Sequence, residues 1–222
     1  MFFKIGHRGA RAYQVENTIE SFKKAVELGA NAIELDVRQS KDRELIVCHD
    51  DNLKRVFGID LPVHEAALTE LKKATGNRMI TLAEALQSVG ENVDKILVEL
   101  KETGHEKRVL DEVNKAKQQD RVIIVSFHVE ALAVVRKLDN KIETGLIYTK
   151  FINPVEAAVR LQTQYLLPLY RFTHTKDIEK AHKNNLKVIV WTINTGEELQ
   201  AYIAKGVDGI ATDKPDIFQG IA

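Results

Sequence analysis

Short apolar segments alternate with longer amphipathic segments along the whole chain. Several of the short segments, such as 122–125 and 188–191, are apolar at every position, which is typical of strands covered on both faces. The longer segments carry apolar residues at helical spacing, as in 18–28. This pattern predicts eight strand–helix units, with strands at residues 2–6, 32–38, 95–101, 121–126, 143–148, 165–170, 187–193 and 207–212.

Local chemistry marks where several of the helices begin. A capping side chain followed three residues later by Glu is a signature of a helix N-terminus. Such pairs occur at the start of amphipathic segments, at Asn17, Thr81, Asn153 and Thr195. We therefore expect these four residues to lie at helix N-caps.

The length of the chain agrees with eight units. The 222 residues allow about 28 residues per unit, near the lower end for a (β/α)8 barrel, or TIM barrel. An open doubly wound sheet is the alternative within the α/β class, but no G-x-G-x-x-G motif follows the first strand. We predict a single barrel domain over residues 1–222. A short insertion after the second strand contains an apolar run at 45–49 and continues through 51–76.

Composition and charge argue against several classes of partner. Lys and Arg total 32, as do Asp and Glu, so no net charge would draw the chain to nucleic acid. No apolar run approaches the roughly 18 residues of a membrane span, and the N-terminal patch is too short for a signal peptide. Cys48 is the only cysteine and is expected to be a buried structural thiol. We expect a cytoplasmic monomer or homodimer that binds a small molecule and does not insert into membranes.

Acidic residues lie in two of the predicted strands, towards the end where barrel active sites lie. Glu34 and Asp36 are two apart in one strand and therefore point the same way, and Glu99 lies at the end of the next predicted strand. Three converging carboxylates repel one another unless a cation compensates them, and oxygen-only ligation indicates Mg²⁺ or Ca²⁺. In the alternative, Lys101 and Arg8 neutralise these acids in a purely structural network.

Two histidines flank the same predicted site. His7 follows the first strand, and His49 ends the apolar run of the insertion. Imidazole accepts and donates protons near neutral pH, so the pair can serve as base and acid in one displacement. Arg8 is a fixed bidentate donor suited to phosphate. Together with a divalent cation, these residues indicate a phosphoryl-transfer centre.

Seven short motifs lie in order along the chain. They are HRGA at 7–10, ENT at 16–18, ELDV at 34–37, HD at 49–50, ELK at 99–101, WTIN at 191–194 and GVDGIATDKP at 206–215. Together these motifs resemble those of the glycerophosphodiester phosphodiesterase family. The resemblance extends over nearly the whole chain and implies a (β/α)8 fold. It also implies hydrolysis of small-molecule glycerophosphodiesters to an alcohol and sn-glycerol 3-phosphate.

The resemblance implies a role for each matched residue. Trp191 matches the aromatic residue that lines the glycerol pocket, with ordinary barrel packing as the alternative. Glu16 is expected to orient Arg8 or the metal ligands. The remaining matches are the metal ligands Glu34, Asp36 and Glu99, the acid–base pair His7 and His49, the phosphate ligand Arg8 and the further site residue Lys101.

Two other functions stay open on the sequence alone. One is a lysophospholipase D-like phosphodiesterase whose substrate keeps an acyl chain, although no basic amphipathic segment or hydrophobic extension supports it. The other is a non-catalytic phosphometabolite-binding barrel, although every matched position is occupied. The attacking group, either a neighbouring glycerol hydroxyl or water, and the choice of histidine as base also stay open.

Overall fold

A closed ring of parallel strands forms the centre of the molecule. The computed structural model describes residues 2–90 and 92–221. The first strand pairs with the second and also with the last, so Ile5 lies opposite both Ala32 and Ala211. This closure confirms the predicted TIM barrel and excludes the open sheet. The strands are β1 (Phe3–His7), β2 (Ala32–Gln39), β3 (Leu45–Val47), β4 (Lys95–Leu100), β5 (Val122–Ser126), β6 (Glu143–Tyr148), β7 (Tyr165–Pro168), β8 (Lys187–Val190) and β9 (Gly209–Thr212), and all except β3 belong to the ring.

Two barrel strands end two or three residues earlier than predicted. Strand β7 ends at Pro168, because the chain then turns into a 3₁₀ helix at Tyr170–Phe172. Strand β8 ends at Val190, and the next residue, Trp191, keeps only an isolated bridge to Leu169. Trp191 therefore lies just beyond the strand, at the mouth of the barrel.

The segment after β2 forms the predicted insertion. Strand β3 runs antiparallel to β2, from Leu45 opposite Gln39 to Val47 opposite Val37, so the chain leads back from the C-terminal end of β2 to the level of Asp36. The rest of the insertion contains α2 (Lys54–Phe57) and α3 (Leu68–Ala74) and encloses a small apolar cluster of its own. The insertion thereby delivers His49 to the end of the barrel where the predicted site residues lie.

Alternation of side chains divides the core into two layers. In β4, Leu97 faces the barrel interior, whereas Ile96 and Val98 pack towards the surrounding helices. The same alternation puts Glu99 on the interior side, one step nearer the mouth. No helix of the described residues is both long and apolar enough to cross a membrane. The outer helices are α1 (Ile19–Glu27), α4 (Leu82–Val89), α5 (Glu106–Lys115), α6 (Val129–Leu138), α7 (Pro154–Leu161), α8 (Thr175–His182) and α9 (Gly196–Ala204).

Three of the four predicted N-caps lie where expected. Thr81 forms a complete capping box with Glu84 at the start of α4. Thr195 accepts a hydrogen bond from the backbone N–H of Glu198 at the start of α9. Asn153 lies at the N-cap of α7 but its side chain makes no capping hydrogen bond. Sequence spacing therefore located these helix starts well, even where the side chain does not cap.

The predicted cap at Asn17 is wrong by one residue. Thr18 caps α1 by accepting a hydrogen bond from the backbone N–H of Ser21. The Asn17 side chain instead donates from Nδ2 to Oδ2 of Asp36 at 2.9 Å. Asn17, which the local sequence predicted to be a cap, thus binds the buried carboxylate of Asp36 instead.

The turn after β1 packs directly on the first turn of α1. Ser21 Oγ donates to the backbone oxygen of Arg8 at 2.9 Å, and the Ala10 N–H donates to the Ser21 oxygen at 3.0 Å. Gly9 lies between these contacts with φ +82°, and a Cβ on it would come within 2.6 Å of the Ser21 backbone. This turn holds His7 and Arg8 in place, so the glycine is required for close approach as well as for its φ.

Replacing Gly9 by Ala is expected to destabilise the protein more than replacing Gly29 by Ala. Gly29 also has a positive φ, +102°, but among residues 2–90 and 92–221 no atom lies within 4 Å of its added Cβ. Gly29→Ala should therefore cost only the backbone strain, about 1–2 kcal/mol. Gly9→Ala should cost about 1–3 kcal/mol more because of overpacking. Urea denaturation of both variants measures the difference, and equal losses would contradict the close approach.

Candidate active site

The three predicted metal-ligating carboxylates converge inside the mouth of the barrel. Glu34 and Asp36 face inward from β2, and Glu99 faces inward from the neighbouring β4, where it is paired in register with Asp36. One oxygen from each lies within 4.8 Å of the others. All three are buried, with Asp36 fully enclosed. The structure therefore brings together a cluster that the sequence could only place on separate strands.

Two cations only partly compensate this cluster. Lys101 Nζ lies 2.6 Å from Glu99 Oε1 and 3.5 Å from Asp36 Oδ1. Arg8 places Nε 3.2 Å from Asp36 Oδ2, and its backbone N–H donates to Glu34 Oε2 at 3.0 Å. The ion pairs of the structural alternative therefore exist. They leave three carboxylates facing two cations.

The electrostatics of the cluster fit a bound divalent cation. Burial, followed by repulsion from Asp36 and Glu99, raises the pKa of Glu34 well above its ordinary value. Burial and the Asp36 charge raise the pKa of Glu99 to about 7. For Asp36, burial acts in the same direction but Arg8 and Lys101 outweigh it and lower the pKa.

Two oxygens of this cluster lack a hydrogen-bond donor. Glu34 Oε1 and Asp36 Oδ1 are buried and accept no hydrogen bond from residues 2–90 or 92–221. Buried acceptors left in this way are costly, and a hard dication with oxygen ligands is the partner that suits them. The donor set thus fits Mg²⁺ or Ca²⁺ better than a closed structural ion network.

His7 lies beside the carboxylates and is held by an aspartate from the last strand. Its Nδ1 is 2.7 Å from Asp213 Oδ1, and its Nε2 is 4.0 Å from Glu34 Oε2. Asn194 donates from Nδ2 to Asp213 Oδ2 at 3.0 Å and accepts from the Asp213 N–H at 2.8 Å. Both oxygens of Asp213 are therefore engaged, which fixes the plane of the imidazole ring.

His49 has a matching arrangement on the side of the insertion. Its Nδ1 is 2.6 Å from Asp50 Oδ1, and Arg55 Nε donates to Asp50 Oδ2 at 2.6 Å. Burial is the largest influence on both site histidines and lowers the pKa of His7 and of His49. With Nδ1–H donated to an aspartate, each neutral ring presents Nε2 as a proton acceptor.

The two histidines line a cavity of about 140 Å³ at the barrel mouth. Arg8, Lys101 and two of the three carboxylates line its polar side. The opposite side is apolar and includes Trp191 and Phe127, whose rings meet edge to face at 5.7 Å. Trp191 Nε1 donates to the Leu167 oxygen at 2.7 Å, so this ring is both packed into the barrel and exposed to the cavity.

Glu16 contacts arginines rather than the three carboxylates. It accepts from Arg8 Nη1 at 2.9 Å and from both terminal nitrogens of Arg55, at 2.9 and 2.6 Å. Arg11 Nε lies 3.7 Å from Glu16 Oε2. The expectation that Glu16 orients Arg8 is consistent with these contacts. We call Glu16, Arg8, Arg11 and Arg55 the Glu16 cluster.

Sequence reasoning assigned no role to several residues that contact the site. Asp213 directly follows β9 and Asp50 directly follows His49, so the strand-end rule that found the other residues could have found both. Arg11, Arg55 and Asn17 carry no such signal, because none of them directly follows a barrel strand. Each also has a partner distant in sequence, which is Asp213 for Arg11, Glu16 for Arg55 and Asp36 for Asn17. The other five histidines do not line the cavity and play no part in it; they are His64, His105, His128, His174 and His182.

Comparison with known proteins gives a consistent result over nearly the whole chain. Residues 7–217 match the model of the glycerophosphoryl diester phosphodiesterase family. A glycerophosphodiester phosphodiesterase of Caldanaerobacter subterraneus subsp. tengcongensis is 33% identical, over 96% of this chain and 94% of that protein.

Solved structures agree with that result. The glycerophosphodiester phosphodiesterase of Thermotoga maritima has a TM-score of 0.85 at 32% identity, covering 100% of this chain and 99% of that one. A phosphodiesterase of Oleispira antarctica, solved in complex with the product sn-glycerol-3-phosphate, has a TM-score of 0.86 at 24% identity. It covers 97% of this chain and 94% of its own, and at that identity the likeness concerns the fold.

Cys48 is expected to react slowly with a thiol reagent in the folded protein. It is 6% exposed, its Sγ donates to the Asp50 oxygen at 3.3 Å, and burial raises its pKa to about 12. At pH 8 the native thiol should react at least about 100-fold more slowly than the thiol of the denatured chain, because the thiolate is the reactive form. Rapid labelling of the native protein would contradict the structural role.

Proposed function

Because the chain belongs to the glycerophosphoryl diester phosphodiesterase family, we propose that it hydrolyses glycerophosphodiesters to an alcohol and sn-glycerol 3-phosphate. The observation that carries this proposal is a single cavity lined by two aspartate-bound histidines and by Glu34 and Glu99, which belong to a cluster of three buried carboxylates. In this proposal residues 1–222 act as one barrel domain.

Arg8 and Lys101 are proposed to bind the phosphate. Both line the cavity, and both are cations beside an excess of negative charge. Arg8 presents a planar guanidinium, which suits phosphate oxygens, whereas Lys101 acts as a point charge. Local capture by these two residues explains how a chain without net charge can bind an anionic substrate.

The carboxylates are proposed to hold a divalent cation, Mg²⁺ or Ca²⁺. Glu34, Asp36 and Glu99 would be its ligands, and the two unsatisfied oxygens of this cluster support that assignment. Such a cation, when bound, supplies positive charge that stabilises the negative charge developing on the phosphate. Its charge would also offset the burial and the carboxylate repulsion that together raise the pKa of Glu34 and Glu99.

The two histidines are proposed to move the protons. In its neutral form each presents Nε2 as an acceptor, because Nδ1 is held by Asp213 or Asp50. One ring takes the proton of the attacking group at Nε2. The other ring begins protonated at Nε2 and donates that proton to the oxygen of the leaving alcohol. Attack by a glycerol hydroxyl and attack by water use the same pair.

The apolar side of the cavity is proposed to receive the carbon skeleton of the glycerol. Trp191 is fixed by its hydrogen bond to the Leu167 oxygen and by edge-to-face contact with Phe127. A preformed aromatic wall loses little conformational entropy on binding. Its position opposite the carboxylates orients the diester with phosphate towards the polar side.

Removal of metal is expected to abolish hydrolysis. Protein stripped with EDTA should release no glycerol phosphate from glycerophosphocholine or glycerophosphoethanolamine, and Mg²⁺ or Ca²⁺ should restore the reaction. Glu34→Gln should remain inactive after metal is returned, whereas Glu44→Gln, at an exposed position of the insertion, should behave like wild type. Full activity of the stripped protein would contradict the metal proposal.

Replacing either site histidine by Ala is expected to lower kcat by about 10²–10⁴-fold, the usual contribution of a positioned acid or base. His64→Ala provides the control, since His64 is exposed and lies in the same insertion as His49. Thermal melting of each variant checks that it is folded. Wild-type turnover in both His7→Ala and His49→Ala would show that other groups move the protons.

A further inference from the structure

Three arginines meet at one carboxylate behind the proposed catalytic histidines. Glu16 is only 8% exposed at its side chain and contacts Arg8, Arg11 and Arg55. Two of these arginines also contact the aspartates that hold His49 and His7. The Glu16 cluster therefore connects both histidine–aspartate pairs.

We propose that Arg55 and Arg11 are positioning residues that hold Asp50 and Asp213 by anchoring them to Glu16. This inference rests on the proposed function, since it assigns their effect to the orientation of the two histidines. It gives the insertion a task beyond carrying His49. The insertion also supplies the arginine that joins the His49 pair to the rest of the site.

The connection on the His49 side is strong. Arg55 donates from Nε to Asp50 Oδ2 at 2.6 Å, while Asp50 Oδ1 is 2.6 Å from His49 Nδ1. The two terminal nitrogens of Arg55 donate to the two oxygens of Glu16 at 2.9 and 2.6 Å. Bidentate charge-assisted bonds of this kind fix direction as well as distance. Without Arg55, the Asp50 carboxylate would keep its contact with His49 but would lose its connection to Glu16.

The connection on the His7 side is weaker. Arg11 Nε lies 3.6 Å from Asp213 Oδ1 and 3.7 Å from Glu16 Oε2, both beyond ordinary hydrogen-bond length. Asp213 also has an independent support, because Asn194 binds its side chain and its backbone. The His7 pair should therefore depend less on the Glu16 cluster than the His49 pair does.

If Arg55 had a purely structural role, its loss would lower kcat only as far as it lowered the stability of the protein. The positioning role predicts a loss of kcat without a matching loss of stability. The Arg55 side chain is 47% exposed, and an ion pair made by an exposed side chain contributes little to stability. Loss of Arg55 should thus change the melting temperature little. A large loss of kcat would come from the orientation of the histidine, since small displacements of an acid or base cost much of its effect.

The test compares Arg55→Met, Arg55→Lys and Arg11→Met, with glycerophosphocholine as substrate and added Mg²⁺. Arg55→Met is expected to lower kcat about 10-fold or more, as loss of an outer orienting residue commonly does. Arg55→Lys should recover part of that loss, and Arg11→Met should lower kcat less than Arg55→Met. Lys54→Met is the control, because it removes an exposed ion pair with Asp60 from the same helix without touching Asp50 or Glu16. It should retain wild-type kcat.

A double-mutant cycle with Asp50→Asn separates positioning from general damage. If Arg55 acts through Asp50, then adding Arg55→Met to Asp50→Asn should change kcat by less than about twofold, because groups that act as a unit are not additive. Additive losses, wild-type kcat in Arg55→Met, or a loss matched by a large fall in melting temperature would overturn the positioning role. Each would leave the proposed function intact, which fails only if the wild-type protein does not hydrolyse the diester.

Discussion

The constraint on which the site depends is the burial of more negative than positive charge at the mouth of a parallel barrel. Glu34, Asp36 and Glu99 enter a space that Arg8 and Lys101 compensate only in part. The parallel architecture imposes this arrangement, because the C-terminal ends of all the barrel strands lie at the same face. A network of this type seldom stabilises a fold on balance, so its place in the molecule is best explained by what it binds.

Several residues next to the carboxylates and the two histidines hold these side chains in position. Asn17 binds Asp36, and the neighbouring Thr18 caps α1 in its place. Asp213 and Asp50 each hold one imidazole; Asp213 directly follows the last strand, and Asp50 lies in the insertion. The site therefore combines carboxylates on barrel strands with two aspartates outside the strands, Asp50 and Asp213, which contact arginines of the Glu16 cluster.

The sequence predicted the barrel because its information is local and repeated. Fully apolar strand segments and capping pairs such as that at Thr81 each indicate one element without knowledge of the others. Strand-end residues could be placed on a common face for the same reason. The pairing of Arg55 with Glu16 and that of Asn17 with Asp36 could not be predicted, because each joins segments that are distant in sequence. Asp213 is different: it follows a strand and could have been found by the rule that found Glu99.

Calorimetric titration of metal-stripped protein with Mg²⁺ and Ca²⁺ tests most directly whether the three carboxylates form the proposed cation site. The structure predicts binding of a single ion per chain, and it predicts that Glu99→Gln abolishes or greatly weakens that binding while the protein stays folded. An unchanged affinity and stoichiometry in Glu99→Gln, or no binding to the wild-type chain, would contradict it.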